Sequence, residues 1–103
     1  MLSHSVFFSL HDHSPAAVER LVAACKRHLT GHPGTTFFAV GTLADEYHRP
    51  VNDRAFEVAL HVVFSDRAAH DAYQQAPRHL KFIEEAQANW KQVRVFDAWL
   101  AGT

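Results

Sequence analysis

The segment Phe56–Phe64 constrains the fold more than any other part of this chain. Its alternate positions are large and apolar, and the positions between them still include Ala59 and Val63. This period of two, in residues that are mostly β-branched or aromatic, predicts a β-strand. A strand that is apolar on both faces needs cover on both. We therefore expect a sheet that is packed on each of its two sides.

The composition is that of an ordinary globular domain. Hydrophobic residues make up 48% of the 103 residues and charged residues 20%, so we expect residues 1–103 to form one domain around one core. The net charge is −1 and the ten Lys and Arg residues are scattered, which argues against a nucleic-acid partner. Neither a signal peptide nor a membrane span is visible, and the single cysteine, Cys25, suits a reducing compartment. We therefore predict a cytoplasmic location and no membrane partner.

Nine histidines are unusual in a chain of this length. They are dispersed, and we expect roughly six of them to be surface residues, as polar residues mostly are. His11 and His13 flank Asp12 in a predicted loop and could hold a metal, but the set lacks the further ligands of a typical site. We therefore predict a solvated turn there, and neither a metal nor a cofactor.

Six secondary-structure elements follow from the periodicity and the turn residues. They are strands over Leu2–Leu10, Thr35–Leu43, Phe56–Phe64 and Val93–Leu100, a helix over Pro15–Leu29, and a second helix within Ser65–Ala76 that resumes after Pro77. Ser14 followed by Pro15 is typical of a helix N-terminus, because the serine hydroxyl can accept an unpaired amide hydrogen and proline has none. The polar segment Ala44–Arg54 is predicted to be a loop, and Gly102-Thr103 a frayed end.

Proline 77 should interrupt the second helix. It removes an amide donor and disfavours helical geometry at Ala76, so we expect a kink or two short helices. Beyond it, we expect the apolar side of the helix to continue through four positions, Leu80, Ile83, Gln87 and Trp90.

The order β, α, β, β, α, β predicts an α+β fold of the ferredoxin-like type, a four-stranded antiparallel sheet with both helices on one face. The other face should then carry a large apolar patch. Its members would be Phe7, Ala59, Val63, at least one of Phe37 and Phe38, and one side of the Val95/Phe96 strand. An exposed patch of this kind usually marks an interface, and a two-fold pairing of identical faces closes it. We therefore predict a homodimer that pairs through its sheet faces as a dimeric α+β barrel.

The sequence resembles the stress-responsive α/β-barrel (Dabb) family of dimeric α+β barrels. Four features carry the resemblance, in the same order along the chain: the first strand His4-Ser5-Val6-Phe7-Phe8, the junction Val62-Val63-Phe64-Ser65-Asp66, the segment from Tyr73 to Pro77-Arg78-His79, and the closing Val95-Phe96-Asp97. The resemblance covers nearly the whole chain.

That family includes a plant polyketide cyclase, olivetolic acid cyclase, which closes a ring in a pocket between helices and sheet. The resemblance implies that His4, Tyr73 and His79 match catalytic positions of this enzyme, and that Val58 matches a further histidine of the same pocket. It also places Cys25 near a tyrosine of helix one, and Ala76 where many relatives have a histidine. Val58, Cys25 and Ala76 thus depart from the family pattern, while the implied ligand-binding set is His4, Val58, Tyr73 and His79.

The residues themselves allow a catalytic and a structural interpretation of this set. A histidine on an apolar strand face, such as His4, is costly to bury unless its ring is hydrogen-bonded. His4 and His79 could act as base and orienting group while Tyr73 holds a developing oxyanion. They could equally bond each other, a carbonyl or water and simply close the core. Cys25 and Tyr73 could likewise be core residues, Trp90 and Trp99 packing anchors, and Asp97 a structural hydrogen-bonding acid.

Three functions therefore remain open at the level of sequence. The first is a homodimeric protein that binds a small apolar or aromatic molecule between helices and sheet. The second is an enzyme on the same scaffold, either a polyketide-cyclase-like lyase or a cofactor-independent monooxygenase. The third is a purely structural or interaction module.

Overall fold

The computed structural model describes residues 1–101 as one antiparallel sheet and a layer of helices. The elements are β1 Leu2–Leu10, α1 Pro15–Leu29, β2 Thr35–Thr42, β3 Val58–Phe64, α2 Arg67–Gln75, α3 Pro77–Ala86, a short 3-10 turn Gln87–Asn89, and β4 Trp90–Trp99. The strand order β2-β3-β1-β4 is the ferredoxin-like arrangement, so the predicted fold class is confirmed. The predicted frayed end, Gly102-Thr103, lies outside the described residues.

The helix boundaries follow from local chemistry. The Ser14 hydroxyl accepts a hydrogen bond from the Ala17 amide at 3.3 Å, and the Asp66 carboxylate accepts one from the Ala69 amide at 2.9 Å, so both helices begin with a capped turn. At Ala76 the backbone is extended, with ψ 139°, and Pro77 begins α3. The predicted interruption is therefore a complete break into two helices. Among the described residues, no helix is long and apolar enough to cross a membrane.

The break at Ala76 also changes which side of α3 faces the sheet. We expected Leu80 on the buried side, but its side chain is 53% exposed, whereas Phe82 is 3% exposed. The extended residue between the helices resets the helical phase, so the periodicity of α2 cannot be carried across it. The buried side of α3 instead includes Phe82, with Ile83 and Ala86 packed against the core.

Trp90 belongs to the sheet and not to the helix, which corrects a second expectation. Helix α3 ends at Ala86, and after the 3-10 turn Trp90 begins β4 opposite Leu10. Its ring packs 5.2 Å from Phe8 and 5.8 Å from Phe82, centroid to centroid. Trp90 is therefore a packing anchor between sheet and helix, and β4 begins three residues earlier than predicted.

One face of the sheet and the helices enclose the core. The buried side chains of the two central strands are Leu2, His4, Val6, Phe8 and Leu10 from β1, and Val58, Leu60, Val62 and Phe64 from β3. Helix α1 adds Leu21, Cys25 and Leu29, while Tyr73 and Phe82 come from the other two helices. The helices on the covered face thus bury one of the two apolar sides of β3.

The opposite face of the sheet, called here the open face, has no helix on it. Strand pairing settles its membership, because directly paired residues point to the same side. Phe37 pairs with Val63 and so lies on the open face, whereas Phe38 pairs with the buried Val62. Phe96 pairs with Ser5 on the open face and is as exposed as Leu80. The Phe7 ring lies 5.0 Å from Phe56 and 5.7 Å from Phe96, so the open face carries an aromatic patch.

Candidate functional site

Strands β1 and β4 bring His4 and Asp97 together. The two residues are direct partners in the antiparallel pairing and point to the covered face. His4 Nδ1 lies 2.6 Å from Asp97 Oδ1, the distance of a short charge-assisted hydrogen bond. His4 is 5% exposed, while the Asp97 side chain is 44% exposed. The pair therefore connects a buried imidazole to a carboxylate at the edge of the sheet.

Tyr73 of α2 is the centre of the site. Its ring centroid lies 4.7 Å from that of His79, 4.9 Å from those of His32 and Phe64, and 5.9 Å from that of His4. Tyr73 is 2% exposed. The structure thus places the three predicted catalytic side chains, His4, Tyr73 and His79, in one cluster beneath α2 and α3.

Two polar atoms of this cluster are buried without a partner. Neither the Tyr73 hydroxyl nor His79 Nδ1 has a hydrogen-bond partner among the described residues. Buried polar atoms are nearly always paired, so each such exception calls for a reason. Together they offer a bound molecule one phenolic O–H and one ring nitrogen in adjacent rings.

Burial also sets the protonation states. It lowers the pKa of His79 below its ordinary value, and positive charge on His4, His32 or His70 would lower it further. It raises the pKa of Tyr73 well above its ordinary value, with Cys25 as a second cause. At neutral pH the cluster therefore holds a neutral imidazole and a protonated phenol.

Val58 is not brought to this cluster. It is fully buried on β3 opposite Phe8, whereas His4 is opposite Val62, four residues further along the strand. Four residues of a strand span about 13 Å. Cys25 is also fully buried on α1, and burial raises the pKa of its thiol to about 12. It is a core residue that stays protonated.

Two histidines of the cluster were missed by sequence reasoning. His32, in the turn after α1, is buried against Tyr73, and its ring nitrogen Nε2 donates to the His28 carbonyl at 2.8 Å. His70 lies one turn before Tyr73 on α2, with its ring 5.3 Å from that of His4. The i, i+3 spacing of His70 and Tyr73 was a usable signal for a shared helix face.

The histidines differ in burial. His11, His13, His48 and His61 are exposed, and His28, His70 and His79 are half-buried. Only His4 and His32 are buried, so seven of the nine keep contact with solvent, close to the roughly six surface histidines expected. The loop residues His11 and His13 do lie in a solvated turn. The Asp12 carboxylate between them accepts the Ser14 amide at 3.0 Å, which closes that turn.

The two described surface depressions lie away from the cluster. The larger, about 580 Å³, runs between α1 and α3 past Arg20, Arg27 and Trp90. Neither depression is lined by His4, Tyr73 or His79. Because the Tyr73 hydroxyl is buried, a molecule that reaches it must displace side chains of the cluster.

Comparison with known proteins adds a family and a set of similar folds. The sequence model of the Dabb family, described as the stress responsive A/B barrel domain, matches residues 2–100. No curated protein matches the sequence.

Several solved structures share the fold. A Dabb family protein with a ferredoxin-like fold from Mesorhizobium loti is 23% identical, with a TM-score of 0.77 over 98% of this chain and 97% of that one. A protein from Thermobifida fusca, described as dimeric, ferredoxin-like and of unknown function, is 17% identical, with a TM-score of 0.79 over 96% and 90%. A hydroxynitrile lyase from Passiflora edulis is 20% identical, with a TM-score of 0.76 over 99% and 94%. At these identities the likeness establishes the fold.

Proposed function

We propose that this chain, which belongs to the stress responsive A/B barrel domain (Dabb) family, is a homodimer. It would bind a small apolar or aromatic molecule at the cluster of His4, Tyr73 and His79. The observation that carries the proposal is the pair of buried, unpaired polar atoms, the Tyr73 hydroxyl and His79 Nδ1. We place the dimer in the cytoplasm, where a lone cysteine stays reduced.

The chemistry of the cluster selects the ligand. An unpaired buried polar atom costs about 1 to 3 kcal/mol, and a ligand with a matching polar group recovers that free energy. The Tyr73 O–H would donate to a carbonyl or hydroxyl oxygen, and the surrounding rings of Phe64 and the histidines favour an aromatic or apolar body. We leave Val58 out of the proposed site because of its distance along β3 from His4.

Entry to the site would use the break between α2 and α3. His79 is half-buried in the first turn of α3, immediately after the extended residue Ala76. Rotation of its side chain would uncover the Tyr73 hydroxyl without unfolding either helix. This route explains how a packed cluster can accept a ligand.

The open face supports the homodimer. It presents Phe37 and Phe96, each more than half exposed, together with Phe7, whose ring packs against Phe96, on a sheet with no helix over it. A monomer rarely leaves such a patch in water, and pairing with a second copy buries it on both chains. The similar protein from Thermobifida fusca is described as dimeric.

Thermal-shift titration with a panel of aromatic and polyketide-like compounds tests ligand binding. A compound at 100 times its dissociation constant should stabilise the wild-type protein by about 2.7 kcal/mol. Tyr73→Phe should abolish most of that shift while the unliganded protein keeps its stability, since the lost hydroxyl has no partner. Tyr47→Phe is the matched control, because Tyr47 is an exposed loop residue. A flat response across the panel, or an equal shift in Tyr73→Phe, would refute the proposal.

The His4–Asp97 pair supports a second candidate, a cofactor-independent lyase or cyclase. A carboxylate on Nδ1 orients an imidazole and leaves Nε2 as a proton acceptor, as in other histidine-dependent enzymes. The Tyr73 hydroxyl would then donate to a developing oxyanion. A hydroxynitrile lyase has a similar fold, so an aromatic cyanohydrin is the first substrate to test.

Aldehyde release from an aromatic cyanohydrin, and ring closure of a linear polyketide thioester, test the second candidate. If either reaction occurs, His4→Ala should lower kcat at least about a hundredfold, as the loss of a general base does. His48→Ala, a change at an exposed loop histidine, should leave kcat unchanged. Undiminished turnover in His4→Ala, or no turnover of either substrate, would remove the assignment.

A further inference from the structure

We propose that His4, His70 and Asp97 form a binding site for a divalent transition-metal ion that prefers imidazole ligands, such as Zn²⁺ or Co²⁺. Each residue offers one ligand atom, and the three atoms lie within 4.8 Å of one another. They come from β1, α2 and β4, so the ion would join the helix layer to the edge strand of the sheet. This inference does not depend on ligand binding at Tyr73 and His79.

The donor set identifies the kind of ion. Two imidazoles and one carboxylate are the ligands of many zinc and non-haem iron sites, in which the remaining coordination positions stay open. Calcium and magnesium prefer several oxygen ligands, and this cluster supplies oxygen from a single side chain. Cys25 cannot compete, because its thiol is fully buried and protonated.

His70 is already oriented as a metal ligand would be. Its Nδ1 lies 3.1 Å from Asp71 Oδ1, so this nitrogen donates its hydrogen to the carboxylate. Its Nε2 faces the Gln74 side-chain amide at 3.4 Å, the position of an acceptor nitrogen. A carboxylate behind a histidine is the usual second layer of a zinc site, where it fixes the tautomer and strengthens the ligand.

Asp97 has a second carboxylate oxygen that is available to bind an ion. Its Oδ1 is paired with His4, while its Oδ2 makes no hydrogen bond among the described residues. The Asp97 side chain is 44% exposed and that of His70 is 16% exposed, so an ion and its waters can reach them from solvent.

The side chains must close on the ion by a small amount. Ligand atoms around a tetrahedral zinc lie about 3.4 Å apart, given bonds of about 2.1 Å. Separations of up to 4.8 Å therefore need to shrink by up to about 1.4 Å, and rotation of the half-exposed Asp97 side chain would contribute to that closure. Binding should consequently tie α2 to β4 and raise the melting temperature.

Titration of metal-free protein with Co²⁺, followed by visible absorption, and with Zn²⁺, followed by calorimetry, tests the site. We expect one ion per chain, with Zn²⁺ displacing Co²⁺ and Mg²⁺ failing to do so. His70→Ala should weaken binding more than about a hundredfold, and Asp71→Asn about ten- to a hundredfold through the second layer. Because nine histidines could bind ions loosely, His48→Ala is the control and should bind as the wild-type protein does.

Equal affinities in His70→Ala and His48→Ala, or no tight site in the wild-type protein, would overturn the inference. Asp97→Asn serves as a second ligand variant should His70→Ala fold poorly, as judged by near-ultraviolet circular dichroism. The two proposals fail separately: Tyr73→Phe should lose the organic-ligand shift but keep the metal, and the metal-free wild-type protein in EDTA should keep the organic-ligand shift.

Discussion

His79 shows how burial decides the charge of a side chain. Its ring is partly removed from water and stands against Tyr73 and near three other histidines, so a proton on His79 is poorly solvated and repelled. An unfolded chain imposes neither penalty. The difference makes the stability of the protein depend on pH.

The direction of that dependence follows from the sign of the shift. The pKa of His79 is lowered in the folded state, whereas in the unfolded chain it is about 6.5. Between these values the unfolded chain binds more protons, so the contribution is complete above about pH 6.5 and is lost as the pH falls through the folded pKa. We expect the melting temperature to fall from pH 7.5 to pH 5.5, and to fall less in His79→Gln. His48→Gln is the control; a fall in His79→Gln that equals the wild-type fall would contradict this origin.

The candidate site was only partly predictable at this scale. The alternation of β1 already placed His4 on the apolar face, whereas the sequence left Tyr73 open as a catalytic or a core residue. Asp97 became part of the site only through strand pairing, and His32 only because the turn after α1 folds against Tyr73. Both depend on contacts between residues far apart in the chain.

The turn before β2 lies against α2. Gly34 has φ 81°, and a Cβ there would overlap the Ala69 side chain. Its carbonyl also accepts the Ser65 amide at 2.8 Å. Gly31, in the same connection, has φ 73° but open space around it. The two glycines therefore share a backbone requirement and differ in packing.

Alanine at each glycine separates the two effects. Gly31→Ala should lower the free energy of unfolding by about 1 to 2 kcal/mol, the cost of a left-handed residue with a side chain. Gly34→Ala also makes a steric overlap with Ala69, which should lower the free energy of unfolding by about 1 to 3 kcal/mol more. Gly34→Ala should therefore be clearly the less stable variant. Urea denaturation measures both. Equal losses of unfolding free energy in the two variants would mean that the contact with Ala69 relaxes at no energetic cost.

The whole molecule is defined by a sheet with one covered and one open face. Family membership and the ferredoxin-like fold, both predicted from sequence, are confirmed. The homodimer stays a prediction for this chain. Its physical basis is the aromatic patch of Phe7, Phe56 and Phe96, with the exposed Phe37 on the same face, which no helix of the same chain covers.

A charge on the open face should separate the proposed dimer. Phe96→Lys places an ammonium group in the proposed interface, and loss of a central aromatic contact costs about 2 kcal/mol or more, or about thirtyfold in Kd. Leu80→Lys is the matched control, because Leu80 is equally exposed, at 53%, but lies on the helix side. Sedimentation equilibrium should show weakened association in Phe96→Lys alone. Equal association in both variants, or a monomeric wild-type protein, would exclude pairing through the open face.

The sequence by itself determined the order of the elements, their approximate ends and the two apolar faces of β3, because periodicity and capping are local properties. It also placed His4 on the apolar face of its strand. Only the tertiary structure decided which side chains meet: His4 and Asp97 are 93 positions apart, and strand register alone makes them neighbours. Packing likewise decided the burial of His32 and the place of Trp90 in the sheet. It also decided which side of α3 is buried, because the single extended residue Ala76 breaks the helical periodicity between α2 and α3.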